Sequence, residues 1–561
     1  MSSFEFTVKK WLSREDFEEL LRIADYMSYA SGEGSKFRLN ISKILREGLT
    51  KDDVINILDS VGVELKHVDI DRLEGVLRRE TNVKVMWDEV KERILVEIPW
   101  STYSGLKDSL KNLGLSFAGK NKECIKYYVR PYKLMDLKEL VVSRGYSIID
   151  LEGLTVEKDL GVKLEFSGEL RPYQREALDK WIENKFKGII ALPTGSGKTI
   201  VALAALAQVS KRALIVTFTK EQMFQWKDMI AKFLNIGRGY VGLFYGEDKS
   251  ISQITISTYQ SAYKNINVLG KYFSLLIVDE CHHLPADKFK AIAVGCIAPY
   301  RLGLSATVVR EDGRHTELFP LMGGVIYHKS ASELSSMGYL AKFKVITVKV
   351  RPTKDEIDEY FELRKKYKSI VGDKRFDEVL ELAKIGNAKA IEALRIHSKM
   401  RMLIAFSKSK IEKAVEIVRE ELEKGSKIIV FTQFVEQAKK LSQELNAGLL
   451  IGEMNSDERK KILSDFKASQ SSVLVVTTVG DEGLDIPDAN VGVIVSGTGS
   501  RRQFIQRLGR LLRPKGGDIE ARLYEIVVEG TLDEFVARRR KKALDKGLLN
   551  NSFTNYPEDS I

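Results

Sequence analysis

Apolar positions are spaced in three different ways along this chain. From residue 1 to 90 they recur three and four apart. Ser13 to Asp16 has the form of a capping box, and Phe17, Leu20, Leu21 and Ile23 follow on one helical face. Thr50 to Asp53 repeats that start before Val54, Ile55, Ile57 and Leu58, with Ser31-Gly32-Glu33-Gly34-Ser35 as a flexible break between them. The spacing predicts a helical module over 1–90.

Residues 91–165 mix both periods. Arg93–Ile98, Lys126–Val129 and Tyr146–Ile149 read as strands, with helices over Tyr103–Leu113 and Leu134–Arg144, so a small α/β module is expected. From 166 to 335 short, continuously apolar runs alternate with helices: 188–192, 213–216, 254–257 and 275–278. Such runs suit strands buried on both faces of a parallel sheet. A second series over 336–540 holds 345–350, 427–431, 473–477 and 491–496. The fold class expected is therefore α/β, with two parallel-sheet domains. A helical insert over 352–400 interrupts the second. In it Ile357, Tyr360, Phe361 and Leu363 form an apolar set beside Lys365, Lys366, Lys368, Lys374 and Arg375. It reads either as a solvated helical hairpin or as a protrusion that grips nucleic acid. Arg538–Lys542 continue on a C-terminal helix, and 541–561 form a tail.

Composition narrows the class. Of 561 residues 44% are apolar, enough for several cores, and 89 Lys plus Arg against 78 Asp plus Glu leave a net charge of +11. That balance suits a polyanionic partner. No apolar run is long enough to span a bilayer, and the first residues lack the form of a secretory signal. The 3 cysteines, at 124, 281 and 296, are too scattered for a disulfide framework or a cysteine zinc site. A reducing, cytoplasmic setting is expected, nucleoid-associated if the cell is prokaryotic.

Chemistry enters at Leu192-Pro193-Thr194-Gly195-Ser196-Gly197-Lys198-Thr199, between a strand and a helix. Glycines let backbone N–H groups curl around phosphates, and a helix N-terminus adds its dipole. Lys198 would reach the β- and γ-phosphates of ATP, and Thr199 would hold Mg2+. Downstream, an apolar strand ends in Asp279-Glu280-Cys281-His282-His283. A carboxylate at the end of a parallel strand faces the phosphate crevice, so Asp279 would also hold Mg2+ and Glu280 would orient water. His282 and His283, if extended, point to opposite sides and form no metal site of their own.

With these motifs the chain resembles superfamily 2 helicases of the Asp-Glu-x-His type. The resemblance implies two RecA-like motor domains with ATP between them. It makes Arg171-Pro172-Tyr173-Gln174 the adenine-side element, with Gln174 as reader. Ser305-Ala306-Thr307 becomes the segment that couples hydrolysis to movement, together with His282. Thr477 to Asp485, including Gly483, resembles motif V. Gln506 to Arg513 resembles motif VI, in which Gln506 belongs to the catalytic set and Arg510 and Arg513 act as arginine fingers.

Three stretches narrow the resemblance to the XPB family of DNA repair and transcription helicases: Leu302–Asp312, Val479–Val491, and Ser500–Gln503 running into motif VI. They imply a DNA-opening element at Arg310, Glu311 and Asp312, a thumb-like insert at 352–400 and a damage-recognition-like module at 91–165. They also imply 3′ to 5′ polarity on DNA junctions. Archaeal members, which the chain resembles in compactness, pair with a nuclease; a repair or transcription partner is expected, with the motor itself monomeric. Thr217, Ser257, Thr258 and Gln260, read as strand ends opposite the ATP motifs, are candidate DNA-backbone contacts or simple loop caps. An RNA helicase and a non-hydrolysing scaffold that binds ATP and DNA are the alternative functions.

Overall fold

The computed structural model describes residues 4–47, 49, 51–64, 67–306, 314–452, 454–477, 489–496 and 520–545. They fall into two units. One comprises Met1–Lys158 with Asn265–Ser274 and Ala291–Pro299; the other comprises Asp159–Lys264, Leu275–Lys290 and Tyr300–Ile561.

The predicted capping box forms: Ser13 Oγ accepts from Asp16 N at 3.0 Å and Asp16 accepts from Ser13 N at 3.2 Å. The first module is not all helical, however. β1 (Glu5–Val8), β2 (Ala24–Ala30) and β3 (Gly34–Leu39) make an antiparallel sheet ordered β1-β3-β2. Residues 31–33 are its hairpin turn rather than a flexible break. Gly34 takes φ 101°, and a Cβ there would lie 2.3 Å from the Val8 carbonyl oxygen. Phe6, Phe17, Tyr26 and Phe37 pack edge and face on this sheet. Tertiary aromatic packing overrode the helical reading here.

The second module starts earlier than expected, at β4 (Val83–Asp88), whose residues alternate inward and outward. β5 (Arg93–Pro99), β6 (Ser116–Lys120), β7 (Cys124–Val129) and β8 (Ile148–Asp150) complete a sheet ordered β6-β7-β5-β4-β8. The helices Trp100–Lys111 and Leu134–Ser143 cover it, burying Leu106, Leu137 and Val141 with Val85, Ile94 and Val96. Ile297, from one of the distant segments, lies in this core. From the other, Lys271 Nζ sits 4.1 Å from the Trp87 ring centre and pairs with Glu89 at 3.2 Å. Continuous boundaries read along the chain therefore miss two segments.

In the second unit the first sheet contains β9 (Lys187–Ala191), β10 (Ala213–Thr217), β11 (Val241–Phe244), β12 (Ile254–Thr258), β13 (Leu275–Val278), β14 (Tyr300–Ser305) and β15 (Val325–His328). Their order is β11-β12-β10-β13-β14-β9-β15, and every pairing is parallel. This domain begins at 159 rather than 166: Asp159 bridges to Lys211, and Leu160 and Leu164 enter the core. The second sheet holds β16 (Phe343–Val350), β17 (Lys427–Thr432), β18 (Gly448–Leu450), β19 (Ser472–Thr477), β20 (Val491–Ile494) and β21 (Ala521–Val528). It runs β16-β21-β20-β17-β19-β18, again all parallel. The α/β class and the two parallel sheets are as expected; β11, β14, β15, β18 and β21 are additions.

The insert forms three helices, Lys354–Val371, Phe376–Lys384 and Ala388–Ala405, rather than a two-helix hairpin. Phe361 is exposed, not apolar core, whereas Tyr360, Leu363, Tyr367, Ala393 and Met400 share a core with Ile428, Val430 and Val528. Glu356 accepts from Ser407 Oγ at 2.8 Å and Lys408 N at 2.9 Å. The C-terminal helix Leu532–Asp545 carries Arg538 to Lys542.

Candidate active site

Both sheets are parallel, so all loops after their strands emerge at one edge. In the first sheet β9 is joined to β10 across two intervening strands, and such a reversal of strand order opens a crevice at the carboxyl edge. The loop after β9 and the turn after β13 both open there.

The β9 loop turns into the helix Lys198–Val209 with Gly197 as its cap. Gly195 and Gly197 take φ of 84° and 80°, a region that favours glycine. A Cβ at Gly197 would also lie 2.5 Å from Gln174 Nε2. The loop is held from behind: the Tyr173 hydroxyl and Gln174 Nε2 both donate to the Ser196 carbonyl, at 2.5 and 2.8 Å. Ser196 Oγ donates to the Pro193 carbonyl at 2.7 Å, and Lys198 Nζ to the Leu192 carbonyl at 3.0 Å. Thr199 is the second residue of the helix.

Gln174 is thus engaged on both ends of its amide, since its Oε1 accepts from Arg171 N at 2.9 Å. Reading adenine through Gln174 requires exchange of these bonds. Arg171 donates to the Tyr339 carbonyl at 3.2 Å, and the Tyr173 and Tyr339 rings lie 4.9 Å apart. Tyr339 therefore belongs to this side of the site, and sequence reasoning did not single it out.

β13 ends at Val278, and Asp279 follows, buried. Its carboxylate accepts from Trp226 Nε1 at 3.0 Å and from Glu280 N at 3.0 Å. Burial, then the neighbouring Glu280 charge, push the Asp279 carboxyl above the usual range. Burial pushes Glu280 up as well, but its hydrogen bond to His282 and the Lys198 and histidine charges outweigh that and hold it low. Two adjacent carboxyls are thus driven apart in acidity, a mark of a working site. Glu280 also takes φ 48°, a left-handed conformation that non-glycine residues avoid.

His282 Nδ1 lies 2.8 Å from Ser305 Oγ and 3.3 Å from Glu280 Oε2. Ser305 ends β14, so this histidine joins the acidic turn to the neighbouring strand end; Ala306 follows, buried. The two histidines do not point apart. They lie in a 3-10 turn, Cys281–His283, with rings 4.2 Å apart, and His283 stacks on Phe218 at 4.0 Å.

The donor set fits a magnesium nucleotide. Mg2+ asks the protein for one or two hard oxygen ligands, the rest coming from phosphates and water. Asp279 supplies a buried carboxylate with acceptor capacity left after two hydrogen bonds, and Thr199 stands at the head of the phosphate-loop helix. Among the described residues no cluster of three or more His, Cys, Asp or Glu is placed to hold a metal alone.

The polar strand ends need correction. Thr217 and Thr258 pair across β10 and β12, and Asp279 N donates to the Val216 carbonyl at 2.9 Å. They therefore share the carboxyl edge with the ATP motifs instead of lying opposite. Thr217 and Ser257 are fully buried, and their hydroxyls donate to the carbonyls of Thr219 at 3.2 Å and Phe244 at 2.8 Å. They are loop caps. Thr258 is buried beside Ser261, and Gln260 is exposed.

Thr307, Arg310, Glu311, Asp312, Gly483, Asp485, Gln506, Arg510 and Arg513 lie outside the described residues.

Residues 390–557 match a family described as the ERCC3/RAD25/XPB C-terminal helicase, and residues 167–310 match one described as type III restriction enzyme, res subunit. The chain is 42% identical over 382 residues to a DNA 3'-5' translocase XPB2 of Sulfurisphaera tokodaii, covering 67% of this chain and 85% of that one. This chain belongs to the XPB family. It is 31% identical to a DNA 3'-5' helicase XPB of Kineococcus radiotolerans, over 74% of this chain and 70% of that one. It is 28% identical to the Schizosaccharomyces pombe general transcription and DNA repair factor IIH helicase/translocase subunit XPB, over 72% of this chain and 49% of that one. The XPB match runs through Gln506, Arg510 and Arg513, while the restriction-type match ends at Arg310. No helix among the described residues is long and apolar enough to cross a membrane.

Trp226 is a further residue at this XPB-family site that sequence reading did not single out: its indole N–H donates to Asp279. Met223, Trp226 and Ile230 fall at helical spacing and read as a core face. Nothing in that pattern shows that the indole N–H meets Asp279.

Proposed function

We propose that this chain is an ATP-driven DNA helicase or translocase moving 3′ to 5′, working in repair or transcription-linked opening of DNA. One observation carries the reading: Lys198 on the phosphate loop and the Asp279–Glu280 pair stand on one sheet edge, with His282 tying the pair to Ser305. Family membership directs that chemistry to DNA.

In this reading the backbone N–H groups of 195–199 and Lys198 hold the phosphates. Asp279 and Thr199 would hold Mg2+, which when bound would supply positive charge against the phosphates. Glu280, kept ionised by His282 and Lys198, orients the attacking water. Arg171 and Tyr339 flank the base side, with Gln174 buttressing the phosphate loop. Gln506, Arg510 and Arg513 complete the site from the second motor domain, which makes hydrolysis depend on closure. His282, Ser305, Ala306, Thr307, Gly483 and Asp485 pass closure to the DNA track. Arg310, Glu311 and Asp312 separate strands. Thr258 and Gln260 remain the track candidates on the first sheet. A nuclease or a repair or transcription assembly is the proposed protein partner, and the S. pombe relative is itself named as a subunit.

Steady-state ATP hydrolysis with duplex DNA, single-stranded DNA and RNA tests the reading. Stimulation by DNA above RNA is expected; stimulation by RNA alone, or no turnover at all, overturns it. Arg510→Lys and Arg513→Lys test the fingers. Each should keep ATP binding and lose turnover by ~10³ or more, since a point charge cannot fork across two phosphate oxygens. Near-normal turnover in both removes that role.

A further inference from the structure

The turn that carries Glu280 is held from an unexpected direction. β12 ends at Thr258, and Tyr259 opens the short helix Tyr259–Lys264. β10 lies between β12 and β13. The Tyr259 side chain crosses it, and its hydroxyl donates to the carbonyls of Asp279 at 3.1 Å and Glu280 at 3.2 Å. The ring is fully buried, packed against Phe289 at 5.1 Å, Phe218 at 5.9 Å and His283 at 6.2 Å. Burial, with the acidic Asp279–Glu280 turn beside it, pushes the phenol well up, so it stays a donor.

This matters because Glu280 is left-handed at φ 48°. Such a backbone persists only where its surroundings over-determine it. Its N–H is taken by Asp279 at 3.0 Å, and its carbonyl accepts from His283 N at 3.0 Å as well as from Tyr259. Of these partners only Tyr259 comes from outside the turn. Its chain neighbours are Thr258 and the exposed Gln260. A displacement of that strand end therefore acts on the Glu280 peptide through one rigid ring.

We propose that Tyr259 is a positioning residue that transmits occupation of the Thr258–Gln260 edge by a nucleic-acid phosphate backbone to the water-orienting Glu280. The proposal rests on the reading of the chain as a DNA-stimulated motor.

Tyr259→Phe removes the hydroxyl and leaves the ring. ATP hydrolysis is measured with and without saturating duplex DNA, with rates taken per nucleotide site counted by a fluorescent ATP analogue. Counting sites keeps partial unfolding from imitating the effect. The ratio of stimulated to unstimulated turnover should fall at least about fivefold, the scale of one hydrogen bond. The KM for ATP and the half-saturating DNA concentration should stay within about twofold, because neither ligand is touched. Gln260→Ala should do the converse, raising the half-saturating DNA concentration while full stimulation returns at saturation. An unchanged ratio in Tyr259→Phe overturns the relay. So does an equal fall of both rates, which marks a structural role, or a loss confined to DNA affinity. If the unmodified protein shows no stimulation by DNA, the motor reading fails and the relay with it. Stimulation in the unmodified protein with any of the other adverse results removes the relay alone.

Discussion

Two buried carboxylates in the same unit meet opposite fates. Asp279, at the carboxyl edge of the first sheet, has two N–H donors and is pushed up by burial and by Glu280. Glu421 precedes β17 at the amino end of the second sheet and is also fully buried. Burial pushes it up too, but Lys424 at 3.0 Å, Tyr524 at 2.9 Å, Ser426 at 3.0 Å and Arg522 at 2.7 Å outweigh that and hold it low. A buried charge whose lone pairs are all satisfied is structural; one left with capacity and a like-charged neighbour is equipped for a ligand. The carboxyl edge of the second sheet makes the same point without charge. There Thr432, Ser496 and Gln437 bond one another, with Thr432 Oγ1 and Ser496 Oγ 2.9 Å apart, and Gln437 donates to Ala405 of the insert.

The strongest way to break this contrast is at the first edge. Lys198→Ala and Glu280→Gln should each cut DNA-stimulated turnover by ~10² or more, the scale of one transition-state contact. Glu280→Gln should retain nucleotide binding; if equilibrium ATP affinity collapses as well, Glu280 is structural and the contrast fails.

Glu421→Ala should do the reverse, sparing turnover per folded molecule and costing about 1–3 kcal/mol of second-domain stability, because Tyr524, Ser426 and the half-buried Arg522 lose a shared acceptor. The sign with pH follows from the lowered folded pKa of Glu421. Its contribution is fully present above its ordinary value of 4.5 and is lost as pH falls through the lower folded value. Denaturant melts of both proteins should therefore differ at neutral pH and converge in acid. A gap that persists at low pH assigns the loss to packing instead.

Trp226→Phe keeps an aromatic ring, though a smaller one, and removes one donor from Asp279. It should raise the Mg2+ concentration for half-maximal turnover by up to about tenfold, the scale of one hydrogen bond to a charge. An unchanged Mg2+ dependence would make the indole a packing group. The smallest effect is expected at the exposed lysines of the insert. Lys365→Ala, Lys366→Ala and Lys368→Ala should each lower the log–log salt slope of DNA binding by ~0.7–0.9 if that lysine meets a phosphate. Deletion of 352–400 is the wrong instrument, because Tyr360, Tyr367 and Met400 fill the second core. Its loss would expose that core rather than a DNA contact.

What the sequence alone determined was local. Buried parallel strands are short continuous apolar runs, so β9, β10, β12, β13, β16, β17, β19 and β20 were legible, as was the phosphate loop between a strand and a helix. The acidic turn was legible for the same reason, being the end of such a run. Antiparallel β2 and β3 were not, because Tyr26 and Tyr29 of β2 also fall at a helical spacing and β3 has only Phe37 and Leu39 to mark it. Thr217 and Ser257 were placed on the wrong side, since a strand end shows its edge only once strand order is known. Trp226, Tyr259, Tyr339 and Ile297 were silent for the same reason. Each acts on a residue far away in sequence, and the neighbours of a side chain across a sheet depend on which strands lie side by side. That order is set by long-range packing of helices and sheets, which no local spacing encodes. Tertiary structure therefore decided which buried carboxylate is satisfied and which is left for chemistry.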